Sequence, residues 1–243
     1  MQKDDLNTIK FAGIVCLACS MALAGVKGSL NGIQIRNAEM DRQVNILKAL
    51  NPSFSPDGTA LTEEQQDEYF LNAGVPKEWI PQYFDEFVTI ETENLPEGVP
   101  SIEPGQAPEI YKLSNPEGEL VAVGFYAEGK GLWSTVKSYV GLEPDLETIR
   151  GVTFFGHKET PGLGGECSKP WFQKNFQGKK LGENGEPLPF EVVKGKAPEG
   201  ATSQVDGMSG ATITGNGIER FLNKIYRSYN QDVFVAMRGA TEE

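Results

Sequence analysis

The stretch VDGMSGATITGNG, residues 205–217, crowds an aspartate, three hydroxyls and four glycines into thirteen positions. Gly210 and Ala211 leave the Thr212 hydroxyl unshielded by neighbouring side chains. A helical stripe of apolar residues follows at Ile218, Phe221, Leu222 and Ile225. Helix N-termini attract anions through unpaired N–H groups and the macrodipole, so a phosphate bound beside Thr212, or attached to it, is the chemistry this stretch could hold. The spacing predicts a helix that begins three to five residues after Thr212, with Thr214 or Asn216 as N-cap. Capping by the two threonines would by itself account for their presence.

Two further stretches combine flexible backbone with ligand-like side chains. In GKGLWST, residues 129–135, Leu132 and Trp133 can form an apolar wall for a planar ring, with Ser134 or Thr135 supplying hydrogen bonds. A hairpin turn with a core tryptophan would look the same. In GHKETPGLGGE, residues 156–166, Pro161-Gly162 is a type II turn signal, Gly164-Gly165 permits close backbone approach, and Glu159 and Thr160 could hold polar edges of a ligand. The glycine spacing is not G-x-G-x-x-G, because position 167 is cysteine, and no Walker A sequence is present. Neither a dinucleotide fold nor a nucleoside-triphosphate site is supported. His157 reads as a loop residue.

Composition narrows the function classes. The 243 residues carry a net charge of −12, which argues against nucleic-acid binding. A single histidine excludes a His-rich metal site, so no metal ligands are assigned. Three cysteines build neither a disulfide framework nor a four-thiolate cluster. Cys16 and Cys19 have C-x-x-C spacing but lie inside an apolar run, where they read as small membrane-helix residues.

That run is free of formal charge from Phe11 to Val26. With Lys10 and Lys27 snorkelling, it reaches about twenty residues, enough for a hydrocarbon core of roughly 30 Å. Ala22-Leu23-Ala24 would also suit signal-peptide cleavage; the anchor is the preferred reading. Lysines and arginines flank both ends, so charge does not orient the segment.

The elements that must position the three stretches follow. Residues 1–10 form a short N-terminal segment, 11–30 a transmembrane helix, and 31–100 a stalk helix with an acidic insertion. Residues 101–243 form the ligand-binding domain. Ile35, Met40, Val44, Leu47 and Leu50 give the stalk its stripe, which Asn51-Pro52 ends. Residues 57–97 hold eleven acidic side chains and one lysine, Lys77, with a capping box at Thr62–Gln65 and a helix near 63–72. The Pro/Gly-rich connector at 97–108 is the expected boundary. Beyond it EIYKLS, ELVAVGFYA, TIRGVTFFG and FEVVKG read as strands. The fold class is therefore α+β: a single transmembrane helix followed by a soluble domain of strands with a few helices.

GKGLWST, HKETPGLGGE and VDGMSGATITGNG, in that order, resemble the C subunit of the sodium-translocating NADH:quinone reductase. The similarity covers roughly residues 108–236, the anchor and the NILKAL stalk. The resemblance implies FMN held covalently, through its phosphate, on the threonine of an Asp-x-x-Ser/Thr-Gly-Ala-Thr motif. Here that motif is Asp206, Ser209, Gly210, Ala211 and Thr212, with Thr212 the attachment point. It maps the family's flavin-contacting loop onto Glu159, Thr160, Gly162 and Leu163, and its tryptophan segment onto Leu132, Trp133, Ser134 and Thr135. It also implies a single-pass protein of the bacterial inner membrane with its flavin domain on the periplasmic side. Its partners would be membrane lipid, the other subunits of the reductase complex and, for maturation, a flavin transferase. Such a chain relays electrons from NADH towards the quinone (ubiquinone) while sodium is exported. It is a carrier within an enzyme, with no catalytic residue of its own. Alternatives are the G subunit of the related ion-translocating ferredoxin:NAD reductase and a non-pumping extracytoplasmic FMN-binding protein.

Overall fold

The computed structural model of the chain describes residues 3–72, 74–92, 95, 99–102 and 106–240. It has two compact units, Met1–Arg42 and Gln43–Glu243. The first unit is helical throughout its described length. It belongs to helix α1 (Lys3–Leu50), which contains a stretch long and apolar enough to cross a membrane. No proline interrupts α1, and Phe11, Ile14, Leu17, Met21 and Leu23 are all exposed.

The second unit is built on a five-stranded antiparallel meander: β1 (Val88–Glu91), β2 (Ile110–Ser114), β3 (Leu120–Lys130), β4 (Thr135–Leu142) and β5 (Ile149–Phe155). Strand alternation gives the sheet two buried faces. On one face Val123, Phe125 and Ala127 of β3, Val136 and Val140 of β4, and Val152 and Phe154 of β5 enter the main core.

The other face receives the last turns of α1. Gly124, Gly141 and Gly151 lie side by side across β3, β4 and β5. A Cβ on Gly141 would collide with the Ala49 carbonyl oxygen. One on Gly151 would stand 2.6 Å from that same oxygen, and one on Gly124 would stand 3.0 Å from the Leu50 side chain. The glycines thus form a trough that lets helix backbone touch sheet backbone. Leu47 and Leu50 are fully buried there, each contributing about 1.5–3 kcal/mol. Arg150 closes the helix: its Nε donates to the carbonyls of Leu50 and Asn51, both at 2.9 Å, while Nη1 pairs with Glu143 at 2.8 Å. Asn51, in the left-handed region at φ 44°, ends α1 where Asn-Pro suggested it would end.

The acidic stretch contributes two short helices and the edge strand. Helix α2 (Glu63–Gln66) opens with the expected capping box and continues as a π-helical turn through Asn72; α3 (Trp79–Gln82) continues similarly through Phe87. Tyr83 is fully buried among Phe54, Phe70, Trp79 and Phe87, and its hydroxyl donates to the Phe54 carbonyl. The sequence placed a domain boundary at the connector, whereas the two compact units divide between Arg42 and Gln43. The backbone explains the difference, because β1 before the connector hydrogen-bonds to β2 after it.

After β5 the chain forms a 3₁₀ turn (Gly164–Ser168) and α4 (Pro170–Lys174), then the small hairpin β6 (Gly182–Glu183) and β7 (Glu186–Pro187). A parallel pair follows, β8 (Glu191–Val192) with β9 (Gln204–Val205). FEVVKG is thus a strand only at Glu191–Val192. The last long element, α5 (Thr212–Tyr229), lays Phe221, Leu222, Ile225 and Tyr229 on the core face. The architecture is α+β.

Because the trough admits no side chain, Gly141→Val in the full chain is expected to cost about 1–3 kcal/mol and lower the melting temperature by several degrees, read by circular dichroism. Gly13→Ala, whose Cβ meets nothing within 4 Å, should leave the melt in place.

Candidate functional site

All three sequence stretches meet at one end of the β3–β4 hairpin. The tip spans residues 131–134 and is closed by the Gly131 N–H donating to the Ser134 carbonyl at 2.8 Å. It presents Leu132 and Trp133 outward, 41% and 70% exposed. Trp133 is therefore not a core tryptophan. Ser134 is half-buried and its hydroxyl accepts from the Lys158 N–H at 2.7 Å; Thr135 is exposed at the start of β4.

The second stretch wraps behind the tip. Glu159 is 6% exposed and its carboxylate accepts four hydrogen bonds. Oε1 takes the N–H groups of Trp133 at 2.9 Å and Ser134 at 3.1 Å. Oε2 takes the Leu132 N–H at 3.3 Å and the Thr214 hydroxyl at 2.7 Å. Sequence reasoning offered Glu159 as a ligand contact; in the structure both oxygens are saturated by protein donors. Burial pushes this carboxyl up, but the four hydrogen bonds outweigh burial and hold it below the ordinary carboxylate range. Beyond it the chain turns at Pro161-Gly162, closed by the Leu163 N–H donating to the Thr160 carbonyl at 3.1 Å. Gly162 adopts φ +76°, the conformation a type II turn requires. Thr160 is exposed, and Leu163 is 44% exposed.

The third stretch supplies the helix start. Asp206 Oδ1 accepts the Ala197 N–H at 2.8 Å and the Gly207 N–H donates to the Gly195 carbonyl at 2.8 Å, which pins the motif beside β8. Ser209 is exposed. Gly210 sits at φ +70°, and a Cβ there would stand 2.8 Å from Leu163 Cδ2, so the second and third stretches touch at this point. Ala211 is buried in the N-cap position and makes no side-chain cap.

Two expectations need correcting. Helix α5 begins at Thr212 itself, not three to five residues later, and neither Thr214 nor Asn216 is its N-cap. Ala211, at the N-cap, has no side-chain acceptor to offer, so the first N–H groups of α5 lack a side-chain cap; Thr214 falls inside the first turn, where its hydroxyl donates to Glu159. Thr212 therefore lies in the first turn of an 18-residue helix with its side chain exposed.

Sequence reasoning missed the Glu159–Thr214 link, which joins positions 55 residues apart. It also missed the close approach of α5 to the hairpin. A Cβ on Gly217 would strike the Lys130 carbonyl, and one on Gly164 would stand 2.5 Å from Thr214 Oγ1 and 2.7 Å from Glu159 Oε2. The available signal was the glycine density of TGNG and GLGG; Gly164-Gly165 was legible as a site of close backbone approach, but its partner, Thr214 on α5, was not.

Comparison with known proteins fits this arrangement. The FMN-binding domain family matches residues 131–227, from the hairpin tip through most of α5. The C subunit of the Na(+)-translocating NADH-quinone reductase of Yersinia pestis is 31% identical over 234 residues, covering 89% of this chain and 86% of that protein. Its counterpart in Pseudomonas aeruginosa is 31% identical over 252 residues, covering 97% and 96%. The chain belongs to the C-subunit family of these reductases. In fold, the solved C subunit of Parabacteroides distasonis matches with a TM-score of 0.59 at 25% identity, covering 83% of this chain and 94% of that one. Shewanella oneidensis NqrC matches with a TM-score of 0.60 at 24% identity, covering 82% and 97%.

As a member of this family with an FMN-binding domain, the chain should offer an anion site and an apolar platform together, and the residues present fit that demand. Leu132, Trp133 and Leu163 are apolar and exposed, as a platform requires. The uncapped start of α5 provides N–H groups and the positive end of a helix dipole.

The depressed Glu159 pKa makes this junction acid-sensitive. Its stabilisation is fully present above the ordinary carboxylate value of about 4.5 and is lost as pH falls through the lower folded-state value. Glu159→Gln is expected to cost about 1.5–3 kcal/mol near neutral pH and to flatten this part of the acid limb, as measured by thermal melts between about pH 3 and 7.

Proposed function

We propose that this chain carries FMN covalently, its phosphate esterified to Thr212 Oγ1, and serves as a membrane-anchored electron carrier in a sodium-translocating NADH:quinone reductase. The observation that carries the reading is the Thr212 side chain. It is exposed in the uncapped first turn of a long helix, beside an apolar surface made by the two other stretches.

The residues divide the work by chemistry. Thr212 provides the oxygen that joins phosphorus; its hydroxyl proton and the donor's leaving group depart when a flavin transferase makes the ester. The N–H groups at the start of α5 and the helix dipole stabilise the remaining phosphate charge. Gly210, with its positive φ, and Ala211, with its small buried side chain, give the transferase access, and exposed Ser209 borders the same loop. Asp206 anchors the loop through Ala197. Leu132, Trp133 and Leu163 shield an aromatic ring from water, with Ser134, Thr135, Thr160 and Gly162 at the rim. The bound FMN supplies reversible uptake of electrons, and no side chain here is needed as acid or base.

Helix α1 supports a single-pass anchor by its length and apolar composition. Family membership supports assembly with the other reductase subunits in a bacterial inner membrane, the flavin domain facing the periplasm. Electrons from NADH pass through this protein towards quinone while sodium leaves through other subunits.

Co-expression with a flavin transferase, denaturation and gel electrophoresis test the attachment. The unmodified chain is expected to fluoresce in the gel and to gain the mass of an esterified FMN, whereas Thr212→Val stays dark at its polypeptide mass. A dark unmodified chain, with the transferase active on a control protein, refutes covalent attachment.

A further inference from the structure

Glu159 is an ion without a counter-ion. Among the described residues, no lysine, arginine or histidine forms an ion pair with it. Its four acceptor positions are filled by the three tip N–H groups and the Thr214 hydroxyl. Glu159 is 6% exposed, and its carboxylate lies against the backbone at Gly131 and Gly164, where an added Cβ would stand 2.7 Å from Oε1 and from Oε2 respectively. With its acceptors filled by protein donors and its side chain buried, Glu159 is not a group that would bind a flavin by contact.

What remains is its charge. Dipoles stabilise the carboxylate but do not cancel it. Buried charges are screened far less than exposed ones and act over longer distances. The neighbouring Cys167 feels it already: burial, and next the Glu159 charge, push that thiol up to about 12, so Cys167 is neutral and compensates nothing. The carboxylate is bonded to the N–H groups of Leu132 and Trp133, whose side chains form the apolar platform, and to Thr214, two residues beyond Thr212. Thr212 itself stands at the positive end of the α5 dipole.

Resting on the reading that FMN is tethered at Thr212, we propose that Glu159 is a positioning residue that also acts as a fixed buried charge. By this charge it opposes electron addition to the tethered flavin and holds the flavin's reduction potential below that of a neutral site.

The test uses the full chain co-expressed with a flavin transferase in three forms: unmodified, Glu159→Gln and Thr214→Val. In-gel fluorescence of the unmodified form reports on attachment, and so on the reading beneath this proposal. The midpoint potential, from spectroelectrochemical titration of each purified form, reports on Glu159. Glu159→Gln keeps the shape and removes the charge, and its potential is expected to move to more positive values. Thr214→Val removes one hydrogen bond and keeps the charge, and no positive shift is expected. An unchanged or more negative potential in Glu159→Gln overturns the proposal. So does an equal positive shift in both variants, which assigns the effect to a loosened loop. A folded Glu159→Gln chain without flavin also overturns it. Should Glu159→Gln not accumulate, Glu159→Met combined with Thr214→Val removes the charge together with its hydroxyl partner and carries the same expectation.

Discussion

The site hangs on one buried carboxylate. Glu159 collects donors from the hairpin tip and from the first turn of α5, segments separated by dozens of residues in the chain. Alone, each is a short loop or helix end with little reason to hold one shape. Bonded to a common anion they become a single rigid corner, because leaving any of these donors unpaired beside a buried charge would be costly. The glycines at 131 and 164 are the steric counterpart of that arrangement, since any side chain there would displace the carboxylate or its partner. Buried polar networks of this kind specify one conformation, which a cofactor site requires more than it requires stability.

A second constraint operates on the opposite face of the sheet. The glycine row across β3, β4 and β5 removes three side chains so that the end of α1 can lie directly on the sheet, with Arg150 completing the helix's last carbonyls. The same central strands therefore serve two roles. Val123, Phe125 and Ala127 pack towards α5 and the site, while Gly124 between them accepts the stalk. A period-two strand can do this because consecutive residues face opposite ways.

The negative charge of the chain is unevenly distributed. Residues 57–97 hold eleven acidic side chains against one lysine, in a chain whose total is −12. That segment is nonetheless part of the folded unit: β1 extends the sheet, Lys174 pairs with Asp67, and Tyr83 sits in a fully buried aromatic cluster. Among the described residues, none of its acidic side chains is buried, and aromatic packing holds the segment together.

By itself the sequence determined whatever depends on near neighbours. The apolar run of α1, the Asn51-Pro52 stop, the Thr62–Gln65 capping box, the alternation of β3 to β5 and the turn at Gly162 follow from residues within a few positions of one another, whose preferences act before tertiary contact. The three glycine-rich stretches were also legible as chemistry, and their order was enough to reveal a family resemblance. The tertiary structure alone decided what happens between stretches. Thr214 has the right chemistry for an N-cap, and only the folded chain starts the helix at Thr212 and sets Thr214 inside its first turn, with its hydroxyl donating to Glu159. Glu159 itself reads as a ligand residue until the tip N–H groups are seen to fill it. Gly124, Gly141 and Gly151 look like ordinary strand glycines until sheet register aligns them under α1. Local sequence carries propensity, whereas a buried hydrogen bond or a backbone contact between distant segments exists only once the chain has closed around it.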